Sequence, residues 1–251
     1  MSKFFTTFVA FFGIIMEKIT KAQVKLVKSL QQKKFRDELG LFVAEGDKCV
    51  SELRKSFELV HLYREGENAT RTEIEQMSGL RAPQGVVGVF KKKPLSDLPL
   101  EGQENSLILA LDGIQDPGNL GTIIRTCDWF GIHDIFCSLD TADCYSPKVV
   151  QATMGALARV RVHYVDLPKW LKEQQCPIIG TLLEGRDMYE NSLPKEGIIV
   201  MGNEGNGISP AVRSLVTHPI RIPSYPKNAE TSESLNVSIA TAIVLAEFRR
   251  V

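Results

Sequence analysis

The segment SLILALDGIQDPGNLGTIIR, residues 106–125, passes from a continuous apolar run through a turn rich in Gly, Pro and Asn into helical spacing. A run that is apolar at every position is typical of a parallel strand covered on both faces. With helical segments between most of them, similar runs recur at 132–137, 158–165, 177–183 and 198–201. Residues 106–251 are therefore predicted to form a doubly wound α/β domain with a parallel sheet.

The amino-terminal part also alternates, on a smaller scale. Thr20 precedes Val24, Val27 and Leu30 at helical spacing, which predicts a helix capped by Thr20. Further on, an amphipathic stretch at 47–55 and short apolar runs at 41–44, 59–62 and 86–90 follow. We expect a small α/β domain over residues 16–94, joined by a charged, proline-containing linker at 95–105.

The first fifteen residues differ from the rest, because Phe4 to Ile15 is almost wholly apolar. This run is shorter than the about 20 residues that a spanning helix needs. It also has no small-x-small cleavage site after it. We interpret residues 1–15 as an upstream extension of the reading frame, with a membrane-associated tail as the alternative. No membrane partner is expected for the rest of the chain.

Charge is divided unevenly along a chain whose formal net charge is zero. Residues 16–94 hold sixteen Lys and Arg against eleven Asp and Glu, whereas residues 95–251 hold thirteen against nineteen. A basic amino-terminal part is compatible with a nucleic-acid backbone, although a solvated surface explains it equally well. Hydrophobic residues at 43% and charged residues at 24% predict a globular protein with a sizeable core.

The five cysteines are odd in number and show no C-x-x-C spacing. Neither a disulfide framework nor a zinc site is therefore indicated, and no metal is expected. A reducing cytoplasm is the predicted location.

The first motif lies in the opening segment, at the junction of strand and helix. Glycines there let the backbone approach a ligand, and the new helix presents free N–H groups. A tight turn alone would explain Gly113 and Gly118. It would not explain Arg125, which we expect on the buried side of an otherwise apolar helix.

The second motif follows the apolar run at 198–201, in a loop that holds three glycines and one carboxylate, Glu204. The carboxylate repels phosphate, and residues 201–207 contain no Lys or Arg. The glycine spacing also fails the dinucleotide and Walker patterns. A neutral or cationic ligand is therefore favoured.

The third motif is a long polar loop, 222–238, that leads into the final helix. That helix is predicted over 233–249, with Ser232 as an ordinary N-cap. Its predicted apolar face consists of Leu235, Ile239, Ile243, Val244 and Phe248.

Taken together, the three motifs resemble those of the SpoU (TrmH-like) RNA methyltransferases of the SPOUT superfamily. In order they are N-x-G-x-x-x-R at 119–125, M-G-N-E-G-x-G at 201–207 and S-L-N-V-S at 234–238. The likeness covers residues 106–250, with a further match at 145–156 and a looser one at 41–46. One departure is the ten-residue spacer between Pro223 and Ser234, which is longer than members commonly have and lacks their glycine.

The resemblance implies an α/β domain with a carboxy-terminal trefoil knot, preceded by a small substrate-binding domain. It implies S-adenosylmethionine as the cofactor, rRNA or tRNA as the partner and a ribose 2′-hydroxyl as the methyl acceptor. Members usually act as homodimers with active sites at the subunit interface, so a homodimer is expected.

Site residues follow from the same motif match. The expected catalytic residues are Asn119, Arg125, Glu204, Ser234 and Asn236. Loops at 181–183, 201–207 and 222–236 are expected to fold around the cofactor through Thr181, Leu182, Met201, Gly202, Gly207, Ile222 and Leu235. In the family, the arginine matching Arg125 is assigned as the base. Because a guanidinium stays protonated at neutral pH, we expect Arg125 instead to clamp a phosphate and stabilise the developing alkoxide.

Three other functions compete with this one. A non-catalytic RNA-binding protein is disfavoured because all five expected catalytic residues are present. A methyltransferase for a small molecule or protein is disfavoured by the separate basic domain. A nicotinamide enzyme is disfavoured by the failed glycine pattern.

Overall fold

A computed structural model describes residues 18–93, 107–190, 192–226 and 234–250. In the amino-terminal unit the elements are α1 Lys21–Ser29, α2 Lys33–Leu39, β1 Leu41–Glu45, α3 Asp47–Leu53, β2 Leu59–Arg64, α4 Arg71–Met77 and β3 Val86–Lys91. The three strands form an antiparallel sheet in the order β1-β3-β2.

Helix α1 forms where the sequence predicts it. Thr20 and Gln23 make a reciprocal capping box that satisfies backbone donors at the helix start. Val24 and Val27 point into the core of the unit and are buried. Helix α4 begins at a second capping box, Thr70 with Glu73, and neither α4 nor α2 was predicted.

In the carboxy-terminal unit the elements are β4 Leu107–Asp112, α5 Pro117–Trp129, β5 Asp134–Ser138, α6 Pro147–Thr153, β6 Arg161–Val165, α7 Leu167–Lys172, β7 Ile178–Asp187, β8 Gly197–Gly202, α8 Pro210–Arg213, β9 His218–Arg221 and α9 Val237–Phe248. All six strands run parallel in the order β6-β5-β4-β8-β7-β9. The predicted α/β class and parallel sheet are confirmed, and β9 is an additional edge strand.

Both faces of this sheet are covered, which explains the continuous apolar runs of its central strands β4 and β8. Helices α5, α6 and α9 contribute to the core on one face, around Leu109 and Ile199. Helices α7 and α8 cover the other face, where Trp170 stacks on Phe136 at 3.9 Å between ring centroids. Strand β4 lies near the middle and all six of its residues are buried.

The strand order reverses between β4 and β8. After β4 the chain moves outward through β5 to β6, and it then returns to the opposite side of β4 for β7, β8 and β9. In open parallel sheets, ligands bind outside the carboxyl ends of the strands at such a switch point. The loops after β4 and β8 both leave the sheet there.

One hydrophobic cluster extends across both units. Phe42 of β1 packs against Tyr145 at 4.8 Å between ring centroids, and both belong to the cluster that covers one face of the parallel sheet. A buried ion pair adds to this contact, because the Arg36 guanidinium lies 2.7 Å from Asp143. The predicted linker at 95–105 and the apolar residues 1–15 lie outside the described residues.

The final helix differs from its prediction. It begins after Asn236, whose side chain caps it, while Ser232 lies outside the described residues. Its buried residues are Val237, Ser238, Thr241, Val244 and Leu245. Of the predicted apolar face, only Val244 belongs to this set; Leu235 and Ile239 are about half exposed. The prediction erred because the helix is apolar around most of its circumference, so spacing does not identify its covered side.

In the part of the chain that the structure describes, none of the helices combines the length and apolarity required to cross a bilayer. All five cysteines are free, and burial raises the pKa of the Cys49 thiol to about 11. The described ranges contain no group of three or more His, Cys, Asp or Glu able to hold a metal ion.

Candidate active site

The loop between β4 and α5 positions Asn119 at the switch point. Gly113 has a left-handed φ of 74°, which turns the chain away from the sheet. Asp116 then caps α5 by accepting a hydrogen bond from the Asn119 backbone N–H at 2.8 Å, and Pro117 occupies the first helical position. Asn119 therefore lies in the first turn of α5, with its side chain half-buried.

The turn after β8 is closed by Asn203, a residue that the sequence analysis did not select. Its backbone exchanges two hydrogen bonds with Gly207, at 2.9 and 3.0 Å. Its side-chain oxygen accepts from the N–H groups of Gly205 and Asn206, and its Nδ2 donates to the Gly113 carbonyl at 2.7 Å. Asn203 thus shapes the second motif and ties it to the first.

Gly202 is required by the close return of this turn. A Cβ at Gly202 would lie 2.3 Å from the backbone of Gly207 and of Ile208, so any side chain would force the turn open. Gly121 of the first motif has a packing role instead, since a Cβ there would lie 2.4 Å from the Cβ of Ala152 on α6.

Asn119 connects the three motifs through hydrogen bonds. Its Nδ2 donates to Glu204 Oε1 at 3.0 Å, and its Oδ1 accepts from Asn236 Nδ2 at 2.9 Å. Asn236 Oδ1 in turn accepts from the backbone N–H groups of Ser238 and Ile239, at 3.0 and 3.3 Å. Because a carboxylate only accepts, each amide has one orientation that satisfies the whole chain.

Of the expected catalytic residues, three therefore meet: Asn119, Glu204 and Asn236. Ser234 lies two residues before Asn236 and is exposed. Arg125 was expected on the buried side of α5, and this was wrong: its side chain is exposed. Among the residues that the structure describes, Arg125 has no hydrogen-bond or ion-pair partner.

The direction of Arg125 follows from helix geometry. Arg125 comes six positions after Asn119, which places the two side chains about 120° apart around α5. Trp129 is one turn further along the same face as Arg125 and is 85% exposed. Arg125 thus points with Trp129 toward solvent rather than toward Glu204.

The residues expected to hold the cofactor gather at the carboxyl edge of three neighbouring strands. Thr181 pairs with Ile220 across β7 and β9, and its hydroxyl donates to the Val200 carbonyl of β8 at 3.1 Å. Residues 181–183 were expected to form a loop, but they lie within β7, at an irregularity in its pairing with β9. Leu182 and Ile222 are half-buried, Met201 is buried, and Leu235 and Gly207 are exposed.

Comparison with known proteins gives two matching families. The SpoU rRNA Methylase family matches residues 106–246, and the MRM3-like substrate binding domain matches residues 21–88. All three sequence motifs lie within the first match, and α1 lies within the second.

Individual relatives cover most of the chain. The 23S rRNA (guanosine(2553)-2′-O)-methyltransferase RlmP of Bacillus subtilis is 28% identical over 93% of this chain and 98% of its own length. An uncharacterized tRNA/rRNA methyltransferase of Synechocystis is 37% identical over 70% of this chain, which spans 64% of that relative. Among solved structures, an AdoMet-bound rRNA methyltransferase from Sinorhizobium meliloti is 31% identical, with a TM-score of 0.78, over 93% of this chain and 96% of that one.

Proposed function

The chain belongs to the SpoU rRNA methylase family, and we propose that it transfers a methyl group from S-adenosylmethionine to the 2′-oxygen of a ribose in ribosomal or transfer RNA. The observation that carries this proposal is the hydrogen-bonded chain from Glu204 through Asn119 to Asn236. It joins the three motifs at the switch point of a parallel sheet, where ligands bind in such folds.

The groups at this edge fit S-adenosylmethionine chemically. Residues 201–207 carry one charge, the half-buried carboxylate of Glu204, and no cation. Such a surface attracts a sulfonium and disfavours a phosphate. Half-buried Leu182 and Ile222, with buried Met201, offer apolar surface for an adenine ring. When bound, S-adenosylmethionine supplies the electrophilic methyl group.

The chain's own residues orient the acceptor. We assign Asn119 and Asn236 to hold the geometry of the pocket, with Glu204 fixed by the amide of Asn119. Ser234 and Leu235 would complete the pocket rim, and Thr181, Gly202 and Gly207 would present backbone groups to the cofactor. Aligning the ribose oxygen with the methyl carbon and its leaving sulfur is the main task of such a site.

Arg125 supplies the positive charge of the proposed active site. Its guanidinium acts by clamping a phosphate of the RNA and stabilising the oxygen as the 2′-hydroxyl loses its proton. Water or the neighbouring phosphate accepts that proton. Lysine in its place would keep the charge and lose the bidentate fork.

In a homodimer, Arg125 of one subunit would reach the active site of the other subunit. The side of α5 that includes Arg125 and Trp129 is an exposed face, and Ile239 and Leu235 of the α9 region are also about half exposed. A helix with apolar residues on all sides needs cover on all sides. We propose that a second copy covers this face and that Arg125 acts in the partner's site.

We also propose the trefoil knot. Strand β9 lies at the sheet edge, whereas α9 packs near the middle against α5 and β8. Ile222 follows the edge strand and Asn236 precedes α9, so the chain has to pass from the edge of the sheet to its centre between these two residues. Passage of this segment through the loops at the carboxyl edge would make the knot.

Because the five thiols are unpaired, we place the enzyme in the cytoplasm.

Nucleoside mass spectrometry of RNA from cells with and without the gene tests the function. One 2′-O-methyl mark should disappear on deletion and return with the wild-type gene but not with an Arg125→Ala variant. Unchanged ribosomal and transfer RNA would favour the non-catalytic RNA-binding alternative.

A further inference from the structure

The positive charge of the amino-terminal unit is concentrated in one short segment. Residues 18–36 contain seven Lys and Arg and no Asp or Glu. Residues 37–94 contain nine basic and ten acidic residues. The whole basic excess of the unit therefore comes from residues 18–36, which run from just before α1 into α2.

On α1 the lysines form a stripe. Lys21, Lys25 and Lys28 recur every three or four residues, which places them on one side of the helix within about 10 Å. They are exposed, and their stripe runs beside the side of α1 that is buried through Val24 and Val27. Together with exposed Lys34 at the start of α2, they are called here the lysine face.

The lysine face is not neutralised within the protein. None of its four ammonium groups lies within 4 Å of a carboxylate among the described residues. Lys33 and Lys92, by contrast, both pair with Asp37, at 2.8 and 2.6 Å. A solvated helix surface normally mixes both signs, so an unpaired stripe of one sign indicates a charged partner.

Arg36 fixes this face relative to the active site. Its guanidinium donates to the carbonyls of Leu30 and Gln31, at the end of α1, and to Asp143. Asp143 follows Ala142, whose N–H donates to the Ile114 carbonyl in the loop that leads to Asn119. The end of the lysine stripe is therefore tied to the catalytic edge through a few hydrogen bonds.

We propose that the lysine face binds the phosphate backbone of RNA that flanks the modified nucleotide. This inference rests on the proposed function and adds a named surface to it. A membrane is the poorer partner, because the apolar side of α1 is used in the core and is not free to enter a bilayer. Lysine ammonium groups bind phosphates as point charges, so the contact selects position and not base sequence.

The test uses the full-length protein with deproteinised ribosomal RNA from cells lacking the gene. The test variant carries Lys21→Gln, Lys25→Gln and Lys28→Gln. The matched control removes the same charge from exposed lysines of the other unit, through Lys169→Gln, Lys172→Gln and Lys195→Gln. A rescue variant replaces the three stripe lysines with arginine. Glutamine and arginine both suit an exposed helix position.

RNA affinity as a function of salt is the main readout. The test variant should bind at least about tenfold more weakly at low salt, and the slope of log K against log salt should fall by about two to three. Its KM for RNA should rise, while kcat at saturating RNA and S-adenosylmethionine affinity stay at wild-type values. The rescue and control variants should match wild type.

Equal losses in the test and control variants would show a general charge effect and overturn the proposal, as would unchanged RNA affinity in the test variant. Wild-type protein that binds RNA through the stripe but transfers no methyl group would refute the proposed function and leave the lysine face supported. A third outcome would assign the lysine face to a protein partner instead. In it, the test variant keeps its RNA affinity, and an acidic protein displaces RNA from the wild type but not from the test variant.

Discussion

Asn119 donates a hydrogen bond to Glu204 across 85 positions of sequence, at 3.0 Å, and both side chains are half-buried. The same amide accepts from Asn236 on its other side. A single carboxamide therefore holds together the strand-to-helix turn, the glycine loop and the start of the last helix. Its two ends are not interchangeable, because only the NH₂ group can face the carboxylate.

Replacing Asn119 with aspartate should disable this junction in a pH-dependent way. Two carboxylates would then face each other at about hydrogen-bond distance, which raises the pKa of the pair. We expect kcat/KM near neutral pH to fall by about 100-fold, the cost of a small misplacement. Lowering the pH should recover part of the activity relative to wild type, because one shared proton restores a hydrogen bond.

Steady-state methyl transfer across a pH series measures this effect, with Asn119→Ala as the control. The alanine variant should lose activity without any recovery at low pH. Identical pH profiles for the two variants would contradict the role given to the Asn119–Glu204 contact.

Arg125 and Glu204 should complement each other between subunits. Arg125→Ala and Glu204→Ala should each be nearly inactive alone. After the two are mixed and the subunits allowed to exchange, one site of each mixed dimer regains both residues, so about a quarter of wild-type activity should return. No recovery, with exchange verified by mass spectrometry, would mean that Arg125 acts within its own chain.

A second prediction concerns the phosphate clamp proposed for Arg125. Arg125→Lys should keep S-adenosylmethionine affinity and lose most of kcat, because a lysine cannot form the bidentate clamp. Wild-type turnover in this variant, measured under saturating RNA, would refute the clamp.

Trp129 should be essential for dimer formation. It is 85% exposed on α5, one turn after Arg125, and large aromatic residues dominate the energetics of buried interfaces. Trp129→Glu should raise the dimer dissociation constant by more than about 100-fold, as measured by analytical ultracentrifugation. Exposed Leu139 lies elsewhere on the surface, and Leu139→Glu provides the control. Equal dimerisation of both variants would rule out the proposed interface.

Asp134 should stabilise the fold in a pH-dependent way. Burial raises its pKa, but hydrogen bonds from His163 and Arg161 outweigh burial and lower the pKa to about 2. Because this is below the ordinary value of 3.8, the stabilisation is complete above that value and is lost as the pH falls toward 2.

Urea unfolding measures this contribution. Asp134→Asn should lower the free energy of unfolding by about 2 kcal/mol at pH 7, and about half of that difference should remain at pH 3. Asp47, whose ion pair with Arg64 is largely exposed, serves as the control, since Asp47→Asn should cost at most about 1 kcal/mol. A difference for Asp134→Asn that does not change with pH would disprove this assignment.

The central strands could be predicted from sequence because burial on both faces leaves an unbroken apolar run. The apolar run that opens the segment 106–125 forms strand β4 at Leu107–Asp112. Strand β9 could not be found this way: it is four residues long, contains Pro219 and lies at the sheet edge, where burial is incomplete. Helix α2 is only seven residues long, too short for a clear period.

The sequence motifs predicted only part of the candidate site. Asn119, Glu204 and Asn236 were selected and do meet, whereas Asn203 was not selected. Its role depends on the Gly113 carbonyl, 90 positions away, and nothing in local spacing reveals such a contact. The exposure of Arg125 was missed for a different reason, since an apolar helix does not indicate which of its sides a second subunit would cover.

Methyl transfer by the purified protein tests the central claim most directly. The protein is incubated with methyl-labelled S-adenosylmethionine and RNA from cells lacking the gene, and the digested nucleosides are analysed by mass spectrometry. The account predicts label on a ribose 2′-oxygen with the wild type and none with Arg125→Ala. Label on a base, or no label in RNA that the protein demonstrably binds together with S-adenosylmethionine, would contradict it.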